Sequence, residues 1–335
     1  MVSLIVIDYY SAERTIKFIQ DVMQMICCSK PINLIVVDHS KDNQNFNKMY
    51  TEIEAINLAT KVEAIEASRI TNGLRKIENC YLYTLPSMKI ILCEAKNNSG
   101  FAKGCNLGAD ISKELFKDEY LIFSNNDILF EEKVDLDIVL SQFAKDPNIG
   151  LIGPSVVGLD GKTQSPNKKL SIWQRIIFYY GFYPLNHLLM KYFDFNMTND
   201  LMKNFNGEYC YRVIGAFMIF KTSTFYHINC FDEYTFLYGE ELIIAEKLIK
   251  ANKKTLFYKN MKVIHEEGGS TNKSHNNTNK MKMMFDSQYH YYKQYLNSNW
   301  LELKVSKLAF QSYLLMNRIK EVINQHSKKR REVHD

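Results

Sequence analysis

The apolar positions of this chain follow two periods. Residues 4–7 and 34–37 are continuous β-branched runs, Leu-Ile-Val-Ile and Leu-Ile-Val-Val, and each ends in a polar loop. Such runs predict short strands buried on both faces. Between them Ile16, Ile19, Val22, Met23 and Ile26 recur at helical spacing. The pattern predicts a β-α-β unit, with parallel strands and a right-handed crossover. Residues 89–93 and 120–123 predict two more strands, and 106–116 a helix between them. Residues 41–88 read as a long polar and helical connection. Further on come a strand at 150–154, a turn at Gly158-Leu-Asp-Gly161, and an apolar run over 213–221. A helix opens at Tyr238-Gly-Glu-Glu241 and stops near Asn252. Short strands are expected at 255–258 and 263–264, and one or two helices from 281 onward.

This order of elements predicts an α/β fold with a mostly parallel sheet flanked by helices and a C-terminal helical extension. Ligands on such sheets bind beyond the carboxyl ends of the strands. Tyr9, Ser11 and Asp38 lie at those ends.

Composition narrows the picture. The 335 residues are 46% apolar and 24% charged, which excludes wholesale disorder. Net charge is +5, too weak for a dedicated nucleic-acid binder. Seven cysteines form no CxxC pair and no framework, so neither a zinc site nor a disulfide scaffold is indicated, and a reducing cytoplasm is expected. The N-terminus lacks a basic region and reads as a first strand rather than a signal peptide. No run of eighteen apolar residues predicts a membrane span. Aromatic content is 13%, nearly all Tyr and Phe, and is dense over 170–195 from Trp173 onward. Those rings could form a buried helix pair or a surface for sugar rings or a lipid-linked acceptor.

Four groups could carry chemistry. Tyr9 offers a ring on which a base can stack, and Asp38 an acceptor for a base N–H or a ribose hydroxyl; Asp38 could equally cap a turn. Asn125-Asn126-Asp127 follows a strand. There Asp127 could bind Mg²⁺ or Mn²⁺ and the amides a ribose, or the segment could be an Asx turn. Glu240 and Glu241 open a helix, where the dipole stabilises acids; Glu241 could also take a proton from a hydroxyl. The two point about 100° apart, so at most one faces a reacting oxygen. His265, at a strand end, could complete a metal site begun by Asp127.

The order of motifs carries a resemblance. Ile5-Val-Ile-Asp-Tyr-Tyr-Ser, Val36-Val-Asp38, Asn98-Ser-Gly-Phe-Ala-Lys-Gly-Cys-Asn-Leu-Gly108, Asn125-Asn-Asp127, Gly153-Pro154, Gly158-Leu-Asp-Gly161, Ile214-Gly-Ala216, Phe231-Asp-Glu233, Gly239-Glu-Glu241 and Val263-Ile-His265 succeed one another. In this order they resemble family 2 glycosyltransferases, over roughly residues 1–270 and nearest the rhamnosyltransferase-like branch that builds bacterial surface polysaccharide, capsule or O-antigen. The resemblance implies a GT-A fold and an inverting transfer from a nucleotide-activated sugar, with Mn²⁺ or Mg²⁺ as cofactor. It implies that Tyr9 and Asp38 hold the nucleobase, that Gly100, Lys103 and Asn106 line the donor pocket, that Asp127 binds the metal and that Glu241 is the catalytic base. Beside these, Ser11, Asn98, Asn125 and Asn126 are expected at the donor, His265 as a second metal ligand, and Trp173, Gly215, Ala216 and Glu240 near the acceptor.

The expected division is a GT-A domain over 1–280, with a nucleotide-sugar half at 1–130 and an acceptor half at 131–280, and a helical extension over 281–335. The extension ends in Lys328-Lys-Arg-Arg331, so peripheral contact with an anionic membrane is one reading and a solvated cap the other. The partners implied are a UDP-hexose or dTDP-rhamnose donor and a saccharide acceptor, with no nucleic acid. Four departures stand out. The DxD motif reads Asn-Asn-Asp, the base position carries Glu, the first loop reads Asp8-Tyr9-Tyr10 where Asn-Tyr-Asn is usual, and the 41–88 connection is longer than usual. A catalytically weak or inactive sugar-nucleotide-binding protein is therefore the alternative. A nucleotidyltransferase is disfavoured, because the loop after the first strand, Asp8-Tyr9-Tyr10-Ser11, has no glycine.

Overall fold

The computed structural model describes residues 1–41, 43–56, 61–66, 77–181, 209–266 and 277–332, with side chains to residue 320. The chain opens β1 (Val2–Asp8), α1 (Ala12–Met25), β2 (Ile26–Cys27), β3 (Ile32–Asp38) and α2 (Asn43–Ala55). It continues β4 (Lys61–Ala64), β5 (Ile77–Thr84), β6 (Met88–Ala95), α3 (Phe101–Leu115), β7 (Tyr120–Ser124), β8 (Ile128–Leu129) and β9 (Val134–Asp135). Then come α4 (Leu136–Lys145), β10 (Ile149–Gly158), α5 (Ile172–Tyr180), β11 (Tyr209–Cys210), β12 (Phe217–Lys221) and α6 (Thr222–His227). The last elements are α7 (Glu240–Lys250), β13 (Lys254–His265), α8 (Asn277–Gln294) and α9 (Trp300–Glu332).

One sheet carries the fold, in the order β11-β13-β10-β12-β7-β1-β3-β6-β5-β4, with β8 on β13. Its centre, β7-β1-β3-β6, is parallel throughout. Strand alternation sends Leu4, Val6, Leu34, Val36, Ile90 and Leu92 into one core with Ile16, Ile19 and Val22 of α1 and Phe46 and Met49 of α2. Ile5, Ile35, Val37, Ile91 and Phe123 enter the other, with α3, α6 and α7 residues. Both faces are covered, which is why these strands read as unbroken apolar runs. Much of the aromatic content lies here. Phe123 packs against Phe225 at 4.9 Å and Phe231 at 4.9 Å between ring centroids.

Three expectations change. The 41–88 connection is only partly helical: α2 is followed by β4 and β5, which extend the sheet antiparallel beyond β6. The alternation in β5 is irregular, with Cys80 and Tyr83 buried and neighbours half-exposed, so no clean strand period shows in the sequence. The strands foreseen at 255–258 and 263–264 are one strand, β13, bulged where Pro154↔Tyr258 gives way to Ser155↔Lys262. Pro154 has no N–H to lend the ladder there.

The helix foreseen at 106–116 begins at Phe101. Gly104 lies outside the foreseen helix and Gly108 inside it, and glycine has low helix propensity at both. In the fold they are contact points of α3: a Cβ on Gly104 would lie 2.8 Å from the His39 ring, and one on Gly108 2.4 Å from Ile5. The α3 helix can approach the sheet only without those methyl groups.

By contacts the chain divides into two compact units, 1–168 with 198–275, and 169–197 with 276–335. In the second, Tyr180 packs on Phe285, Phe310 and Tyr313, and Phe285 stacks on Phe310 at 4.1 Å. Arg175 is buried among Tyr179 and Tyr291. Trp173 is exposed on α5, as are Leu301, Leu308 and Leu315 on α9. The rest of the aromatic tract, from Phe182 on, and the side chains of Lys328-Lys-Arg-Arg331 lie outside the described residues. Among the described residues no helix is long and apolar enough to cross a membrane.

Replacing Gly108 by Ala should test the α3 contact. The methyl group must displace Ile5, and overpacking of this kind costs about 1–3 kcal/mol, against a helix-propensity gain of about 1 kcal/mol. Urea denaturation should show a net loss of stability. A variant as stable as wild type would mean that the sheet yields there freely.

Candidate active site

The parallel register sets acids side by side at one edge of the sheet. Asp8 pairs with Asp38, and Asp38 with Glu94, across β1, β3 and β6. Asp8 and Asp38 are fully buried. Asp8 accepts hydrogen bonds from Ser11 Oγ at 2.8 Å, Thr15 Oγ1 at 2.5 Å and Asn45 Nδ2 at 2.6 Å. The same Asn45 amide reaches Asp38 Oδ1 at 3.2 Å, where the Ser40 N–H also donates. Asp38 Oδ2 has no partner. Burial first, then the negative Asp8, push the Asp38 carboxyl up, to about 7. Next to it, burial drives the His39 imidazole down, to about 4, so it is neutral near pH 7.

The loop after β1 turns over this pair. Tyr9 is half-buried, and Tyr10, at φ +52°, packs edge-on against it with centroids 4.7 Å apart. The Tyr10 N–H donates to Ser40 Oγ, and its hydroxyl accepts from the Lys41 N–H at 3.0 Å. Two aromatic faces therefore flank the Asp38 end of β3.

The β7 end adds the third strand. Asn126 Nδ2 reaches Ser11 Oγ at 2.8 Å, Thr15 Oγ1 at 2.7 Å and Asp8 at 3.3 Å, joining the two loops in one polar network. Asp127 is nearly buried, and His265 Nε2 lies 3.2 Å from its Oδ1. Yet that oxygen has no hydrogen bond. Asn125 Nδ2 lies 3.3 Å from the same ring nitrogen, and His265 Nδ1 is 2.8 Å from Gln164 Oε1. Arg14 of α1 reaches Asp127 at 3.7 Å and Glu266 at 3.6 Å.

The catalytic candidates adjoin this loop. The Asn125 N–H donates to the Ala216 carbonyl at 2.9 Å. The residue before it, Gly215, would place a Cβ 3.8 Å from Glu241 Oε2. Glu241 is held through its other oxygen by Arg212 Nη1 at 3.0 Å. Gly239, at φ +87°, turns the chain into α7, a backbone state that L side chains rarely adopt. Glu240 points inward instead: it is buried, its Oε1 has no partner, and burial then Glu241 push its carboxyl up, to about 8.

Other expected site residues have structural partners. Asn106 spends its amide on the 231–233 loop, donating to the Phe231 carbonyl at 3.1 Å and Glu233 at 3.0 Å while accepting from the Phe231 N–H. Asn98 Oδ1 accepts from the Gly100 N–H. Gly100, at φ +93°, packs so closely that a Cβ would meet the Phe236 carbonyl at 2.4 Å. Lys103 is half-buried in the first turn of α3. Trp173 belongs to the second unit. Residues outside the expected set are Asp8, Arg14, Thr15, Asn45, Gln164 and Arg212. For two of them the signal was present: Arg14 and Thr15 follow Ser11 at helical spacing in the first turn of α1, above Asp8.

Two donor atoms, Asp127 Oδ1 and His265 Nε2, converge without a hydrogen bond between them. The His265 Nδ1 contact is to an amide oxygen, which accepts only, so Nδ1 carries a proton; in the neutral ring Nε2 then holds a lone pair. Arg14 supplies one positive charge beside the carboxylate, and a cation between the two atoms would engage both of them. Adjacent ligands of an octahedral Mg²⁺ or Mn²⁺ stand about 3 Å apart, so the pair fits one edge of such a cation. No cluster of three or more His, Cys, Asp or Glu ligands assembles among the described residues. Cations of this class commonly take one or two protein ligands and complete their shell with substrate phosphates.

No protein-family model matches the chain, and no curated protein matches it in sequence. Solved structures do match in shape. One is the mannosyltransferase PcManGT from Pyrobaculum calidifontis in complex with GDP-Man and Mn²⁺, at TM-score 0.51 and 12% identity, covering 93% of this chain and 69% of that one. Another is GalNAc-T7 with UDP, GalNAc and Mn²⁺, also at TM-score 0.51 and 12% identity. The fold is that of the GT-A glycosyltransferases. This chain is 97% covered in the second match but spans only 58% of the GalNAc-T7 structure.

The Asp8–Asp38 edge makes a pH-dependent prediction. The folded chain keeps the Asp38 proton up to about pH 7, whereas the unfolded chain releases it near about pH 4. Unfolding therefore releases a proton in that window, and the stability involved is present below it and lost as pH rises through 7. Asp38→Asn has no such loss. Its melting temperature relative to wild type should rise from pH 5 to pH 8. A difference that stays flat or shrinks would contradict the shared burial of the two acids.

Proposed function

We propose that this chain is an inverting glycosyltransferase that moves a sugar from a nucleoside-diphosphate donor to a saccharide hydroxyl. The observation that carries the reading is the convergence, at one end of the parallel strands, of four groups. They are the Asp38 acceptor with its aromatic flank, the Asn126–Asp8 network, the Asp127–His265 pair and Glu241 beside Gly215. PcManGT and GalNAc-T7, which share the fold, are solved with a nucleotide or nucleotide sugar and Mn²⁺. Fold alone leaves many functions open, so the weight rests on this constellation.

Asp38 Oδ2, buried and unpartnered, would accept the N3–H of a uracil or thymine. Tyr9 or Tyr10 would stack on the base. A uridine or thymidine diphosphate sugar is therefore the donor class we propose, as in the rhamnosyltransferase-like branch. Asp127 and His265 would hold a divalent cation, which when bound would offset the charge of the leaving diphosphate.

Glu241 supplies the base. Arg212 fixes Oε1, which leaves Oε2 on the side of Gly215, where a Cβ would lie 3.8 Å from it and 4.0 Å from Met218 Cε. An acceptor hydroxyl placed there gives its proton to the carboxylate. Its oxygen bonds to the anomeric carbon as the bond from that carbon to the diphosphate breaks. The nucleoside diphosphate leaves with the electron pair, and attack from the opposite face inverts configuration. Glu240, buried behind, is unsuited to meet the acceptor.

A second reading has its own observation. Arg14 already neutralises part of the Asp127 and Glu266 charge, and Asn125 stands where a second carboxylate would strengthen a cation site. A binding protein with weak turnover would look like this.

Glu241→Gln separates the readings. A general base contributes about 10²–10⁴-fold, so transfer with a panel of UDP and dTDP sugars should fall by that factor while nucleotide affinity holds. Transfer within a few-fold of wild type would remove Glu241 from the role. No transfer or donor hydrolysis by the wild-type chain would favour the binding protein.

A further inference from the structure

The Gly158-Leu-Asp-Gly161 turn stands out in the sequence, yet none of its residues enters the chemistry above. What it carries is Gln164. The turn closes through hydrogen bonds from the Gly158 N–H to the Lys162 carbonyl and from the Gly161 N–H to the Gly158 carbonyl. The chain then returns alongside β10, with the Gln164 N–H on the Val156 carbonyl at 2.8 Å. Asn167 Nδ2 holds the Gln164 carbonyl at 2.7 Å. The Gln164 backbone is thereby fixed on both sides, and its side-chain oxygen meets His265 Nδ1 at 2.8 Å.

We propose that Gln164 is a positioning residue for the cation site, locking His265 in the tautomer whose Nε2 lone pair, now facing the Asn125 amide, a metal would take over. The proposal rests on the reading of Asp127 and His265 as metal ligands. Two amides agree on the tautomer. Gln164 Oε1 can only accept, so Nδ1 must donate; Asn125 Nδ2 can only donate, so Nε2 must accept. The rest of the Gln164 amide is placed by the turn. Its Nε2 lies 3.1 Å from where a Cβ on Gly158 would be, and Asp160 Oδ1 lies 2.9 Å from the same point. Glycine at 158 leaves the room that the amide occupies. Metal-binding histidines characteristically donate their second ring N–H to an oxygen acceptor, which sets ring orientation and raises basicity. Gln164 occupies that place here, about a hundred residues away in sequence and adjacent through the pairing of β10 with β13.

The test uses the full chain in three forms: wild type, Gln164→Leu and Gln164→Glu. Leucine keeps the volume and removes the acceptor; glutamate keeps an acceptor for Nδ1–H. Nitrogen-15 histidine spectra, assigned with a His265→Asn variant, report the tautomer without metal. Mn²⁺ titrations followed by electron paramagnetic resonance, with and without UDP, report affinity. Wild type and Gln164→Glu should show protonated Nδ1 and similar Mn²⁺ binding. Gln164→Leu should lose that tautomer and bind Mn²⁺ about ten- to a hundredfold more weakly, with an unchanged melting profile.

Mn²⁺ affinity within threefold of wild type in a folded Gln164→Leu would overturn the proposal, as would a wild-type ring protonated on Nε2. A Gln164→Leu chain that unfolds shifts the decision to Gln164→Glu and the wild-type tautomer, which suffice to uphold or reject it. A wild-type chain that binds no Mn²⁺ while showing protonated Nδ1 would overturn the metal role itself. In that case Glu241-dependent transfer could still stand as a metal-independent activity.

Discussion

The structure depends on two carboxylates that the parallel register forces together. Asp8 and Asp38 end neighbouring strands at the same level, and neither reaches water. Two buried negative charges repel, and each must be matched by donors or a proton. The fold answers with Asn45 between them, Ser11 and Thr15 on α1, and Asn126 from the β7 loop. Those donors come from four separate segments, so the need to satisfy Asp8 draws the loops after β1 and β7 and the starts of α1 and α2 to one place. One acceptor, Asp38 Oδ2, is left without a partner. An unsatisfied buried acceptor is costly in the free protein and available to a ligand.

From that edge the other groups follow. Asn126 ties the β7 loop to Asp8, which sets Asp127 toward His265. The Ala216 carbonyl holds the Asn125 N–H, which sets Gly215, and with it Glu241, beside the same loop. A donor gripped at Asp38 would therefore run toward Asp127 and present its reacting carbon on the side of Glu241. The aromatic count that stands out in the composition divides in turn. Phe123, Phe225 and Phe231 are core, Tyr9 and Tyr10 flank the edge, and Tyr180 with Phe285 and Phe310 holds the second unit together.

The central strands were legible in sequence, because a parallel sheet covered on both faces gives β-branched runs such as 34–37. The places of Tyr9, Asp38, Asp127 and Glu241 in the fold were legible because they follow such runs or open an apolar helix. Long-range pairing was not legible. The Asn106 amide clamps Phe231, more than a hundred residues on, a contact that no local pattern shows. Gly104 was hidden for the opposite reason: local propensity argues against helix, and packing against His39 decides otherwise. Gln164 and Arg212 carry no local pattern at all. Their meaning comes from strand pairing and from the isolated bridge between Asn167 and Arg212. Asp8 was in view but is masked by its neighbours, since one carboxylate at a strand end looks like any turn acid until the register shows the second beside it.

The most direct measurement is the melting temperature of the chain with UDP, dTDP or GDP, each with and without Mn²⁺, in wild type and Asp38→Asn. A ligand at a hundred times its dissociation constant stabilises by about 2.7 kcal/mol, which moves the melting point by several degrees. Wild type should respond to UDP or dTDP more than to GDP, and more with Mn²⁺ than without, and Asp38→Asn should lose that response. A wild-type chain indifferent to all three nucleotides, or an Asp38→Asn chain that responds as wild type does, would contradict a nucleotide site built on this edge of the sheet.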